Sequence, residues 1–194
     1  MTDDEKLARY KSLLLTWTAK VNLIGPETRR NLDAHIQEAL EASLILQPAG
    51  DVLDFGSGGG LPAIPMAIRA GSAARFHLVE SDARKWSFLK YVSRDCSLNC
   101  QIHGDRLADV VRTLPPELHF DLITSRAVGH PSKWLPLLRE RLSREGKVAL
   151  FQGSPTVEPV EGFRVAAVER LSRGDSNFLV TLRAVPRGTS WPKS

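Results

Sequence analysis

The stretch Asp51-Val52-Leu53-Asp54-Phe55-Gly56-Ser57-Gly58-Gly59-Gly60-Leu61-Pro62 constrains the fold of this chain more than any other part. Val52, Leu53 and Phe55 form the apolar run of a buried strand. Gly56, Gly58 and Gly60 then free the backbone to bend where a side chain would block a ligand. Pro62 suits the first turn of a helix, whose N–H groups lack partners within the helix anyway. Strand, glycine turn and helix in that order make a site for an adenosine-bearing cofactor at the end of a parallel sheet.

The spacing narrows the cofactor. A dinucleotide fingerprint wants a third glycine five positions after the first, and Leu61 stands there. With Gly56-x-Gly58-x-Gly60 the turn instead resembles the first motif of S-adenosylmethionine (SAM) methyltransferases. A second apolar strand, Phe76-His77-Leu78-Val79, ends in Glu80. A carboxylate at that point can accept hydrogen bonds from both ribose hydroxyls. Asp54, Gly56, Gly58, Gly60, Leu61 and Glu80 are therefore expected around the cofactor.

Before this motif, Leu7, Tyr10, Leu14, Trp17 and Val21 recur at helical steps and predict an amphipathic helix over 4–20. Asn22-Leu23-Ile24-Gly25-Pro26 ends it. A second helix follows with Leu32, Ile36, Leu40 and Leu44 on one face. After it, strands and helical stretches alternate, the signature of a parallel α/β sheet. Strands are expected at 76–80, 101–103, 120–126 and 147–151, and helices at 63–69, 82–95, 107–112 and 134–142. Two long strands, 163–171 and 178–185, flank a hairpin-like turn at Ser172-Arg173-Gly174-Asp175. The expectation is an α/β, Rossmann-like class I SAM-dependent methyltransferase fold: a seven-stranded, mostly parallel sheet with a closing antiparallel hairpin. Residues 1–50 would form a helical cap, 51–185 the catalytic domain and 186–194 a disordered tail.

Net charge of +4 makes an acidic partner plausible without naming one. The basic residues are scattered, and no aromatic-interleaved RNA motif stands out. Cys96 and Cys100 lie near His103, but a zinc site needs four ligands and no second cluster completes it, so no metal is expected. No apolar run approaches a membrane span, and the acidic start Met1-Thr2-Asp3-Asp4-Glu5 lacks a signal-peptide core. A cytoplasmic monomer is the expectation.

The chain resembles the GidB family, the bacterial 16S rRNA guanine-N7 methyltransferases. The resemblance rests on Gly56-Ser57-Gly58-Gly59-Gly60-Leu61-Pro62 followed by Ile64-Pro65-Met66-Ala67-Ile68, on Val79-Glu80-Ser81 with Arg84-Lys85 and Phe88-Leu89, and on Ser125-Arg126-Ala127. It implies SAM as cofactor, 16S rRNA or the small ribosomal subunit as partner, and N7 of a guanine in the decoding-centre loop as target. It also implies that Gly56 and Leu61 line the SAM pocket, that Glu80 meets the ribose, and that Arg126 stands at the cofactor and substrate side as the catalytic residue. The chain departs from the family at three places. His103-Gly104-Asp105-Arg106 replaces the usual Gly-Arg-Ala-Glu, with Asp105 the candidate adenine-side acid. His35-Ile36-Gln37-Glu38 replaces His-x-x-Asp, with His35 a candidate substrate residue. Gln152 replaces a lysine.

N7 of guanine carries an in-plane lone pair, so methylation needs alignment rather than a base. His35 is accordingly as consistent with a core or capping role as with a catalytic one. Two alternatives remain at this level: SAM-dependent methylation of a small molecule or protein, and a catalytically impaired SAM-binding RNA or assembly factor.

Overall fold

The strand expected at Val52, Leu53 and Phe55 is β1 (Gly50–Phe55), near the middle of a sheet completed by β2 (Ala74–Val79), β3 (Cys100–His103), β4 (Phe120–Arg126), β5 (Leu142–Gln152), β6 (Phe163–Arg170) and β7 (Phe178–Ala184). The computed structural model describes residues 1–172 and 177–185. The sheet order is β3-β2-β1-β4-β5-β7-β6. The first five strands run parallel, and β7 enters antiparallel between β5 and β6. The chain winds outward from β1 toward β3, then returns to lay β4 on the other side. That reversal opens a crevice at the carboxyl ends of β1 and β4, where ligands bind in sheets of this kind. The seven strands and the antiparallel closure are those expected from the sequence.

The helices are α1 (Asp3–Thr18), α2 (Pro26–Arg30), α3 (Leu32–Leu46), α4 (Ala63–Ala70), α5 (Ala83–Asp95), α6 (Leu107–Thr113) and α7 (Pro131–Leu138). A capping box starts α1: the Thr2 hydroxyl accepts from the Glu5 amide, and the Glu5 carboxylate accepts from the Thr2 amide. Pro62 stands just ahead of α4, at its N-cap, rather than inside its first turn.

Three local expectations need correction. The buried face of α3 is set by Leu32, His35, Ile36, Glu38, Ala39, Ala42, Ser43 and Leu46, whereas Leu44 is 64% exposed. Apolar periodicity alone rotates the helix, because its inner face carries a histidine and a glutamate. The helix expected over 134–142 begins at Pro131, which fits a first helical position, and gives way to a 3₁₀ turn at Arg139–Arg141. β5 starts at Leu142, since Leu142 pairs with Phe120 across an irregular register.

Alternation along the strands sends Val52 to one face and Leu53 to the other. On the first face, Val52 and Phe76 pack with Ile64, Met66 and Phe88, and with Tyr10, Leu14, Leu32 and Ile36 of the N-terminal helices. On the second, Leu53 and Ile123 pack with Trp134, Leu135, Leu138 and Val148. The N-terminal helices thus share a core with α4 and α5. Of the turn expected at 172–175, only Ser172 is described; its amide and hydroxyl both donate to Glu41 of α3, at 2.9 and 2.7 Å. The tail 186–194 lies outside the described residues. No helix among the described residues is long and apolar enough to cross a membrane, and none of their His, Cys, Asp and Glu side chains form a metal-binding group of three.

Candidate active site

The turn after β1 folds back over the end of β2. The amides of Gly56 and Ser57 both donate to the Val79 carbonyl, at 3.0 and 3.2 Å. Gly56, Gly58 and Gly60 have φ of +75°, +55° and +90°, a region that costs an L side chain. Their surroundings differ. A Cβ on Gly56 would fall 2.2 Å from Val128 Cγ2, and one on Gly60 would fall 2.5 Å from Ile64 Cγ1. A Cβ on Gly58 would meet nothing nearer than the Gly56 carbonyl oxygen at 3.8 Å. Gly56 and Gly60 are thus demanded by the protein's own packing as well as by φ, and Gly58 alone of the three opens onto free space.

Glu80 ties this turn to the next helix. Its Oε2 accepts from the Gly58 amide at 2.9 Å and its Oε1 from the Asp82 amide at 2.8 Å. Each carboxylate oxygen has a second lone pair, so the group keeps acceptor capacity for a diol. Asp82 in turn caps α5 by accepting from the amides of Arg84 and Lys85.

Asp54 lies beneath the turn, 1% exposed. Its Oδ1 accepts from the Thr124 hydroxyl at 2.6 Å, while its Oδ2 is buried without a partner. Burial pushes this carboxyl up to about 6, against the Thr124 hydrogen bond and the nearby Ser57 hydroxyl, which itself donates to the Asp54 backbone carbonyl. A buried acceptor left over beside an open glycine suits a ligand that brings a cationic donor. Leu61 is buried beside the turn, and Asp105 is exposed in the loop after β3.

A second group of side chains meets at the end of β4. Nη2 of Arg126 meets Nδ1 of His35, and its Nη1 lies 3.5 Å from Oε2 of Glu38. Glu38 Oε2 is also 3.1 Å from His35 Nδ1. Arginine has only donors and a carboxylate only acceptors, so Nδ1, within reach of both, accepts from Arg126 or, when protonated, donates to Glu38, but not both at once. His35 and Glu38 are 4% and 2% exposed. Arg126, Glu38 and Gln152 border a cavity of about 460 Å³, whose walls include Trp134, Phe151 and Phe178. Gln152 turns its amide nitrogen away, donating to the carbonyls of Ser154 and Thr156 within its own loop.

The structure therefore brings His35 and Arg126 together and gathers Asp54, Gly58 and Glu80 at the turn. The sequence marks Glu38 only as a departure from the family's His-x-x-Asp, without a role, and Tyr10 only as an apolar helix position. His35-x-x-Glu38 is an i, i+3 pair that puts both side chains on one helix face, and this was the available signal. Tyr10, fully buried, donates its hydroxyl to the Gly59 carbonyl at 2.8 Å and ties α1 to the glycine turn. Apolar periodicity had marked it only as core.

Comparison with known proteins decides the family. The sequence model described as rRNA small subunit methyltransferase G matches residues 3–182. The chain belongs to the GidB family. It is 37% identical over 165 residues to the ribosomal RNA small subunit methyltransferase G of Magnetococcus marinus, covering 82% of this chain and 73% of that one. The protein of the same name from Cereibacter sphaeroides is 36% identical, over 83% of this chain and 77% of its own. Among solved structures, a putative O-methyltransferase from Klebsiella pneumoniae superposes with a TM-score of 0.65 over 91% of this chain and 90% of its own, at 12% identity. A SAM-dependent methyltransferase from Aquifex aeolicus gives 0.64 over 84% of this chain and 100% of its own, at 16% identity. At such identities these two show the fold, and it is that of the class I SAM-dependent methyltransferases.

Proposed function

We propose that this protein transfers the methyl group of SAM to N7 of a guanine in 16S ribosomal RNA. One observation of the structure carries the reading furthest: the Glu80-braced glycine turn and the cavity walled by Arg126 adjoin at the carboxyl ends of β1 and β4. On this reading a cofactor site and a base-sized site share one edge. The names of the relatives at 36–37% identity point to the same substrate class.

SAM, when bound, supplies an electrophilic methyl group on sulfur. The residues at the turn fit it. Gly58 offers the space, Glu80 the acceptors for the ribose hydroxyls, and Asp54 a buried carboxyl for the amino end. Gly56, Gly60 and Leu61 shape the wall, and Asp105 takes the adenine side. Arg126 orients the target nucleotide and His35 holds Arg126.

The chemical demand on the protein is small. Guanine N7 attacks through its own lone pair, so no side chain has to remove a proton first. Holding nucleophile, methyl carbon and sulfur in line replaces a collision by a preformed arrangement, which is worth about 7–11 kcal/mol at best. His35 is consistent with this economy, since its Nδ1 is engaged by Arg126 or Glu38 rather than presented to the cavity. Trp134, Phe151 and Phe178 give a base an apolar wall. The target has to be unpaired, as bases read by proteins in RNA usually are.

The test is to map N7-methylguanosine in small-subunit rRNA from cells with and without the gene, and after incubation of the unmodified RNA with purified protein and SAM. A single N7-methylguanosine that depends on the protein is the expected result. SAM binding with methyl transfer only to a non-RNA acceptor would overturn it.

A further inference from the structure

Glu38 has one carboxylate oxygen engaged and one idle. Oε2 faces Arg126 and His35, whereas Oε1 is buried with no hydrogen-bond partner. A buried acceptor on a charged group is costly to leave unfilled. It sits on a residue that lines the 460 Å³ cavity yet is only 2% exposed, at the floor rather than the rim. The rest of that wall is mostly aromatic, aliphatic or backbone, with Trp134, Leu150, Phe151 and Phe178 prominent.

We infer that Glu38 is the specificity residue of the base pocket, its carboxylate accepting hydrogen bonds from the N1–H and 2-amino group of the target guanine. The inference rests on the proposed reaction and names the side chain that would choose its base. Guanine alone among the RNA bases presents two adjacent donors on its Watson–Crick edge. Adenine and cytosine place an acceptor beside their amino group, and uracil flanks its single N–H with carbonyls. An acidic acceptor at the cavity floor is matched by guanine and opposed by the others. The same pose turns the opposite edge of the ring, which carries N7, away from Glu38. Arg126 supplies the opening: its side chain is 20% exposed, so the guanidinium can turn outward to a phosphate as the base takes its place.

The isosteric variant Glu38→Gln changes what this side chain can accept. A carboxamide offers one acceptor and one NH2 donor in place of two acceptors, so with Arg126 turned outward the variant cannot accept both donors of the base. The experiment measures single-turnover methylation of small-subunit rRNA carrying either guanosine or inosine at the target position; inosine lacks the 2-amino group. The wild-type protein should methylate the inosine RNA roughly tenfold to a hundredfold more slowly, the effect of losing one hydrogen bond to a charged group. Glu38→Gln should slow the guanosine RNA more than the inosine RNA, so that the preference collapses, while SAM affinity stays unchanged.

If Glu38 served only to hold Arg126, the variant would slow both RNAs by one factor, and that outcome overturns the inference. Equal wild-type rates on the two RNAs overturn it without any variant. Failure to methylate the guanosine RNA at all removes the proposed reaction and this assignment together, a result distinguishable from the other two.

Discussion

The two halves of the carboxyl edge are built by different means. At the β1–β2 half, Glu80 is satisfied by backbone amides at Gly58 and Asp82, 22 and 2 residues away, on elements that the sheet already fixes. At the β4 half, Arg126 meets His35 across 91 residues, and the contact spans two separate parts of the fold, the N-terminal helices and the sheet. The first half is a preformed cradle. The second is a side-chain cluster with an acceptor left over. The proposed function assigns cofactor binding and substrate choice to separable sets of residues.

The largest effect should come from breaking the cradle. Glu80→Ala removes the acceptor for two amides and for the proposed ribose hydroxyls. At about 1.5–3 kcal/mol for a hydrogen bond to a charged group, SAM affinity should fall by roughly 10- to 100-fold by calorimetry. Unchanged affinity would place the cofactor elsewhere.

Asp54 joins the halves through Thr124 of β4, and its titration sharpens the comparison. Its folded-state value of about 6 lies above the ordinary carboxyl value, so the folded protein binds more protons than the unfolded chain between those values. The stability it contributes is complete below about pH 4 and is lost as the pH rises through 6. Asp54→Asn, compared with wild type by urea unfolding at pH 4.5 and 7, should gain relative stability at the higher pH, on the order of 2 kcal/mol. A difference that does not change with pH would show that Asp54 is not held in its neutral form.

The glycines come next. Gly58→Ala and Gly60→Ala share the strain of positive φ, about 1–2 kcal/mol each. Only the second also drives a methyl into Ile64. Gly60→Ala should therefore lower the melting temperature more, and Gly58→Ala should weaken SAM binding more. The reverse order would mean that the open space at Gly58 is not where the cofactor passes. The smallest effect is expected for Tyr10→Phe, which removes the hydroxyl from the Gly59 carbonyl at a cost of about 1 kcal/mol, read as a lowered melting temperature. No change would show that α1 does not brace the turn.

How legible each region was in the sequence follows the same division. The β1 turn and the acid after β2 are local patterns: glycines at fixed spacing after an apolar run, and a carboxylate at a strand end. The seven strands followed from alternating apolar segments, and β4 runs over 120–126 as expected. The face of α3 did not follow, because His35 and Glu38 are buried against Arg126 and count as polar in any apolar periodicity. The early start of β5 did not follow either, since it depends on a pairing partner, Phe120, that local sequence does not reveal. Of the site residues, His35 and Arg126 came from family likeness, and their meeting with Glu38 exists only in three dimensions.

The division of labour is tested most directly by Arg126→Lys, measured twice on the same preparation: SAM affinity by calorimetry and single-turnover methyl transfer to small-subunit rRNA. Lysine keeps the charge but not the planar fork that reaches His35 and Glu38 together. The expected result is unchanged SAM affinity with transfer slowed roughly a hundredfold, the size of effect that misplacing a bound reactant produces. A parallel loss of SAM affinity, or full transfer activity, would contradict the separation of the two halves.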